Sequence, residues 1–194
     1  MDEVTRCFGH TPLYADYHDR EWGRPVHEDK KLFEMLMLEG AQAGLSWETV
    51  LKKREAYREA FDGFDPKKVA FYDDAKKQEL LGNAGIVRNR MKINCAVINA
   101  QLFLDIVEKH GSFDKFIWAY VDNAPIVGRR ESIDNIPVTT PISDRISRDL
   151  KKMGFKFVGS TIIYSFMQAV GMVNDHLVSC CVFGEIVGSG EDRA

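Results

Sequence analysis

The sequence predicts an all-α fold. Apolar residues recur at three- and four-residue spacing over long stretches. Residues that cap helices stand just before those stretches, and no segment shows the strict apolar–polar alternation of a half-buried strand. With 194 residues, 45% of them hydrophobic, the chain has material for one compact domain with a substantial core.

Asp29 is placed to cap a helix over 30–40, whose Leu32, Phe33, Leu36 and Met37 face inward. Ser46 caps a helix running to about Phe61. Asp65-Pro66 is a helix start, Asp at the N-cap and Pro in the first turn. Asp73 or Asp74 opens a short helix that ends at Gly82. A long helix follows from about Asn89 to Lys109, with Ile93, Ala96, Val97, Ala100, Leu104 and Val107 in register. Ser112 caps a helix through Val121. Residues 122–141, with Pro125, Pro137 and Pro141, read as a long connection. Ser143 starts a helix that Gly154 ends, and a last apolar helix spans Ser160 to Val170, stopped by Gly171. The segment after Gly184 reads as frayed, so residues 1–187 are expected to form one domain and 188–194 a disordered tail.

Composition excludes some functions. No run of eighteen apolar residues exists to span a bilayer, so no membrane partner is expected. The Met1–Arg6 segment lacks the apolar stretch of a secretory signal, and the cytoplasm is the expected compartment. Disulfides are disfavoured there, which leaves metal ligation or burial for Cys7, Cys95, Cys180 and Cys181. A net charge of -3 argues mildly against a nucleic-acid partner unless a local patch overrides it. Arg88, Arg90 and Lys92 form one such patch. Arg145, Arg148, Lys151, Lys152 and Lys156 form another. A solvated helix face accounts for either equally simply.

Three constellations could carry chemistry. His176 and Cys180 stand four apart, on one face if their segment is helical, and with Cys7 and His18 they complete a Cys₂His₂ set. The two halves are far apart in sequence, so spacing alone favours unrelated buried thiols and ordinary histidines. Gly82–Arg90, with Gly85 in its turn, has the layout of a helix-hairpin-helix. Its second helix would offer N–H groups to a phosphate, aided by Arg88, Arg90 and Lys92. A plain helical corner is the competing account. Finally, Glu39 ends an apolar helix shortly before Trp47, and the upstream segment from Tyr14 to Gly23 is rich in aromatics. Aromatic faces and one carboxylate are what a pocket for an extruded base requires, although a core with a surface glutamate reads the same way.

Taken together the segments resemble one family. Tyr17-His18-Asp19, Glu21-Trp22-Gly23, Leu38-Glu39-Gly40, Ala43-Gly44-Leu45-Ser46-Trp47, Leu51–Glu55, Gly154–Gly159, Tyr164–Ala169 and Asn174-Asp175-His176 are similar, in order, to 3-methyladenine DNA glycosylase I of the helix-hairpin-helix glycosylase superfamily. The resemblance runs from Arg6-Cys7 to Cys181. It implies that Cys7, His18, His176 and Cys180 hold one structural zinc, joining the termini of a helix-hairpin-helix glycosylase fold. It implies that Glu39 is the catalytic contact to the damaged base, with Tyr17, Trp47, Phe8 and Trp22 around it. It implies a hairpin over about 75–109 whose Gly85, Arg88, Arg90 and Lys92 meet the DNA backbone. Where some family members carry Trp shortly after the first cysteine, this chain has Phe8, which alters the aromatic wall. The implied partner is double-stranded DNA carrying alkylated bases. The implied product is free 3-methyladenine. No lysine stands where a Schiff-base nucleophile can be argued, so no strand-cleaving lyase activity is expected, and no apolar stripe is left over after the core is assigned, so a monomer is expected. A zinc-containing DNA-binding module without catalysis is the alternative.

Overall fold

The computed structural model describes residues 5–191; residues 1–4 and 192–194, parts of the N-terminal segment and of the expected tail, lie outside the described residues. The described chain is mostly helical: α1 (Pro12–Arg20), α2 (Asp29–Gln42), α3 (Trp47–Lys52), α4 (Arg54–Ala60), α5 (Pro66–Val69), α6 (Asp74–Gly82), α7 (Arg90–His110), α8 (Phe113–Trp118), α9 (Pro141–Met153), α10 (Ser160–Ala169) and α11 (Phe183–Glu191). Two-residue strands β1 (Ile126–Val127) and β2 (Val173–Asn174) pair in parallel, with Ile126 opposite Val173 and Val127 opposite Asn174. The sequence pattern gave no sign of them, because two residues are too few to alternate.

The caps explain most boundaries. Ser46, Asp65, Asp73, Asn89 and Ser112 each accept a backbone N–H from the first turn of the helix they precede. Gly111 and Gly154 end α7 and α9 in the left-handed conformation, at φ 86° and 107°. Three expected starts and ends differ. Asp29 does not cap α2. Its carboxylate instead accepts the N–H groups of Phe113 and Asp114, so it caps α8 from across the fold. Ser143 lies in the first turn of α9, and Thr140 is the N-cap, the two exchanging hydrogen bonds in a capping box. The helix expected to start at Ser46 breaks at Lys53 into α3 and α4.

The region beyond Gly184 is not frayed up to its last described residue. It forms α11, held by buried Ile186 and by an ion pair from Arg24 to Glu185 at 2.7 Å.

Helix α2 is the centre of the molecule. Leu32, Phe33, Met35, Leu36 and Leu38 are all within 2% of full burial, so the helix is apolar on several sides and is wrapped by α3, α7, α8 and α10. Its one deep polar anchor is Glu34, which receives Arg54 at 2.7 Å and Arg58 at 2.9 Å, while Arg54 also clasps Glu21. Two carboxylates offset the cost of burying the Arg54 guanidinium and fix α4 and the Glu21 corner against α2. The C-terminal end of α2, which carries Glu39, is thereby held on a rigid element.

Candidate active site

Glu39 sits near the end of α2 with 4% of its surface exposed. Its carboxylate makes no hydrogen bond and no ion pair among the described residues. Burial alone pushes it up to about 8. It faces a cavity of about 410 Å³. Cys7, Phe8, Tyr14, Tyr17, Trp22 and Trp47 line that cavity with Glu39. Gln42, Ile133, Ile136, Ser165 and Gln168 complete the lining.

The aromatic residues form a connected wall. Phe8 packs on Tyr14 at 4.7 Å and meets Trp22 edge-on at 4.9 Å. Tyr14 stacks with Tyr17 at 6.5 Å, and Tyr17 lies 5.4 Å from Trp47. Tyr17 is buried, and burial followed by the nearby Glu39 carboxylate holds its phenol far above the usual range, so it is a neutral O–H donor. The Trp47 indole N–H is buried without a partner. An unpartnered carboxylate and a neutral phenol O–H beside several π faces describe a receptor for a flat ligand with polar edges.

The five residues that sequence reading assigned to base contact, Glu39, Tyr17, Trp47, Phe8 and Trp22, all border this one cavity. Sequence reasoning missed Tyr14, although it lies in the aromatic segment already singled out and falls one helical turn before Tyr17 on α1. It also missed Gln168 and Ser165, which face the cavity together from α10 at a three-residue spacing. Ile133 and Ile136 come from the long 122–140 connection and carried no local signal.

Behind the aromatic wall lies a second cluster. Cys7, His18, His176 and Cys180 are all buried, and their ligand atoms lie within 4.8 Å of one another. Cys7 Sγ is 3.6 Å from His176 Nδ1, and Cys180 Sγ is 3.4 Å from both His176 Nδ1 and His18 Nε2. Tetrahedral zinc with its usual bond lengths separates sulfur from nitrogen ligands by about 3.6 Å, so the donor set fits. The supporting contacts fit as well. His18 Nδ1 meets Asp19 at 2.8 Å, Asp19 is gripped by Arg6, and His176 Nε2 donates to the Trp22 carbonyl at 3.0 Å. These outer contacts leave one ring nitrogen of each histidine directed at the sulfurs. The Leu177 N–H donates to Cys7 Sγ at 3.2 Å. Burial holds His176 down to about 4, hence neutral, and pushes the Cys7 thiol up to about 12. A bound cation would reverse the latter.

His176 and Cys180 do not meet by helical spacing. Their segment is a turn, closed by the Cys180 N–H on the Leu177 carbonyl at 2.8 Å.

The segment expected to form a hairpin lies between α6 and α7. Gly85 is required there for packing, since a Cβ would fall 2.8 Å from that of Ala56. Its N–H donates to Asn83 Oδ1 at 2.8 Å and is not free for an external anion. The Val87 N–H donates to the Tyr57 hydroxyl. The N–H groups of Arg88, Arg90 and Met91 at the start of α7 have no partner among the described residues, and the Arg88 and Arg90 side chains are exposed and unpaired. Lys92 is engaged elsewhere. Its ammonium donates to the Ala41 and Ala43 carbonyls at 2.7 and 2.8 Å, fastening the start of α7 to the end of α2. The Lys53 ammonium similarly holds the Ala84 and Gly85 carbonyls.

The family model described as methyladenine glycosylase matches residues 7–183, which include the cavity, the hairpin and the Cys/His cluster. The chain belongs to the methyladenine glycosylase family. It is similar to DNA-3-methyladenine glycosylase 1 of Escherichia coli, 52% identical over 172 residues, covering 89% of this chain and 92% of that one. It is 47% identical over 179 residues to DNA-3-methyladenine glycosylase of Haemophilus influenzae, covering 91% and 97%. Its fold matches a crystal structure of 3-methyladenine DNA glycosylase I with a TM-score of 0.88 at 50% identity, covering 91% of this chain and 98% of that chain. It also matches the Staphylococcus aureus 3-methyladenine DNA glycosylase I studied for 3-methyladenine recognition, with a TM-score of 0.87 at 40% identity, covering 89% and 92%. In this methyladenine glycosylase family member, no helix among the described residues is long and apolar enough to cross a membrane.

Proposed function

We propose that the chain hydrolyses the N-glycosidic bond of 3-methyladenine in alkylated double-stranded DNA, releasing the base and leaving an abasic site, as a step of base excision repair. The observation that carries this reading is the buried, unpartnered Glu39 carboxylate in an aromatic cavity, in a chain about half identical to glycosylases named for that base.

Methylation at N3 gives the base a positive charge in DNA, and the base departs neutral, so the bond is already weak. The protein's task is to hold the cation out of the duplex. Tyr17, Trp47, Phe8 and Trp22 offer π faces to it. Glu39 accepts hydrogen bonds from the adenine edge, and the cation supplies the partner that this carboxylate otherwise lacks. Unmodified adenine lacks the charge and leaves Glu39 uncompensated. Water then attacks the sugar C1′. Among the described residues the cavity lining offers no amine, and the reaction is written as hydrolysis without a Schiff-base step.

Zinc fits the Cys7, His18, His176 and Cys180 set as a structural ion. It would supply a crosslink between the N- and C-terminal segments, keeping Phe8, Tyr17 and Trp22 in the cavity wall. Residues 75–109 act as the helix-hairpin-helix, with Arg88, Arg90 and the free N–H groups opening α7 against a phosphate. Gly85 shapes the turn and Lys92 braces it. The working unit is a monomer.

Base release from methylated duplex DNA, with the freed bases separated, tests the assignment. Selective release of 3-methyladenine without strand cleavage is expected. A folded, zinc-replete sample that binds DNA but frees no base would leave the module without catalysis as the reading.

A further inference from the structure

Asp175 is completely buried, one residue before a metal-cluster histidine, yet its contacts lead elsewhere. Its Oδ2 accepts the Tyr164 hydroxyl at 2.5 Å and the Gln168 Nε2 at 2.9 Å, and its Oδ1 accepts Arg130 Nε at 2.8 Å. Gly128 packs so tightly on this carboxylate that a Cβ there would lie 2.3 Å from Oδ1. Asp175 thus ties together the cavity-lining helix α10 and the start of the segment that brings Ile133 and Ile136 to the cavity.

The orientation of the Gln168 amide follows. A carboxylate facing a guanidinium only accepts hydrogen bonds, so the NH₂ of Gln168 must point to Asp175 and its carbonyl oxygen must point away. Gln168 borders the base cavity, and its Oε1 has no partner among the described residues without being sealed in the interior. The cavity therefore offers a neutral acceptor from α10 in addition to the Glu39 carboxylate on α2, and these two helices pack on each other.

We infer that Gln168, held in one amide orientation by the positioning residue Asp175, is a second reader of the base edge that selects a 6-amino purine over a 6-oxo purine. The inference rests on the proposed glycosylase function. An exocyclic amine carries two N–H donors, and two acceptors satisfy both. A 6-carbonyl would set an oxygen against these acceptors and leave them desolvated and unpaired.

The test is the ratio of 3-methyladenine to 3-methylguanine released from methylated duplex DNA by wild type, Gln168→Leu and Asp175→Asn. The melting temperature and the binding of free 3-methyladenine, followed by tryptophan fluorescence, are recorded alongside. Gln168→Leu should lower kcat/KM for 3-methyladenine about tenfold, weaken free-base binding, and lower the ratio by a similar factor. Asp175→Asn presents a donor to Gln168, lets the amide turn its NH₂ to the cavity, and should shift the ratio further toward guanine. A merely structural role predicts equal losses for both bases, and that result, or unchanged release in Gln168→Leu, overturns the inference. Wild-type protein that releases neither base defeats the parent reading and this one together, whereas selective wild-type release with an unmoved ratio defeats this one alone.

Discussion

The Cys/His cluster and the aromatic cavity share a wall but differ in one respect. Around the cluster the groups that hold its four side chains are answered: Asp19 by Arg6 and His18, His176 by the Trp22 carbonyl, Cys7 by the Leu177 N–H. In the cavity Glu39, the Tyr17 hydroxyl and the Gln168 side-chain carbonyl have no hydrogen-bond partner among the described residues. Neighbouring residues of the same segments serve the two, His18 the cluster, Phe8 and Tyr17 the cavity, and Cys7 borders both. Such a difference separates a site built for stability from one built for a ligand, since unsatisfied buried groups cost stability until the ligand arrives.

The largest effect is expected from breaking the cluster. Cys180→Ser, or exhaustive chelation, should remove several kcal/mol of stability and lower the melting temperature by well over ten degrees, measured by calorimetry with parallel metal analysis. Free-base binding should fall with it, because the N-terminal segment that carries Phe8 is no longer tied to the 176–180 turn. A variant that loses its metal yet keeps its melting temperature would show that the cluster holds the fold without an ion.

Glu39→Gln should do the reverse. In the folded chain the carboxyl titrates near 8, above its ordinary value of 4.5. The native state therefore binds more protons between those values, and the cost of keeping Glu39 protonated lowers stability as pH rises through that window. Removing the charge should stabilise the free protein by up to about 3 kcal/mol at pH 7 and flatten its stability between pH 5 and 8. Base excision should fall by about 10²–10³-fold in the same variant. In wild type, kcat/KM should climb toward pH 8, as the ionised carboxylate becomes available, and the climb should vanish in Glu39→Gln. A variant that is less stable than wild type at pH 8 would contradict the unpartnered-carboxylate account.

The same contrast explains what could be read in the sequence. Helices with their own caps were legible, because Ser46, Asp65, Asp73, Asn89 and Ser112 act within one turn of their own segments. Asp29 was misread because its partners, Phe113 and Asp114, are more than eighty residues away. Helix α1 was passed over; its short run of aromatics and charges is dictated by the wall and cluster it serves more than by an apolar stripe. The cavity's aromatic half was hinted at by composition, in Tyr14 to Gly23 and Trp47, but its base contacts were assigned only through family resemblance, which passed over Tyr14. The Gln168 and Ile133 side of the cavity was not legible, since their role depends on Asp175 and on a connection without periodicity. The Cys/His set was legible only through family resemblance, because a turn and not a helix joins His176 to Cys180.

A smaller effect should come from the brace between hairpin and cavity. Lys92→Met removes the hydrogen bonds to the Ala41 and Ala43 carbonyls while keeping the aliphatic stem, and should cost about 2 kcal/mol in chemical denaturation. DNA affinity should change little, because this ammonium is already spent inside the protein. If Lys92→Met instead weakens DNA binding with no loss of stability, the lysine reaches phosphate after all.

The exposed arginines of the hairpin should show the complementary behaviour. Arg88→Ala and Arg90→Ala remove exposed side chains that make no hydrogen bond or ion pair among the described residues, so the melting temperature should stay within about a degree of wild type. Each should lower the slope of log affinity against log salt by about 1 and weaken DNA binding a few-fold at moderate salt. The 3-methyladenine to 3-methylguanine ratio should not move, because backbone contacts place the duplex without reading the extruded base. A changed ratio would mean that the hairpin alters how the base enters the cavity, and the division between an anchoring surface and a reading pocket would no longer hold.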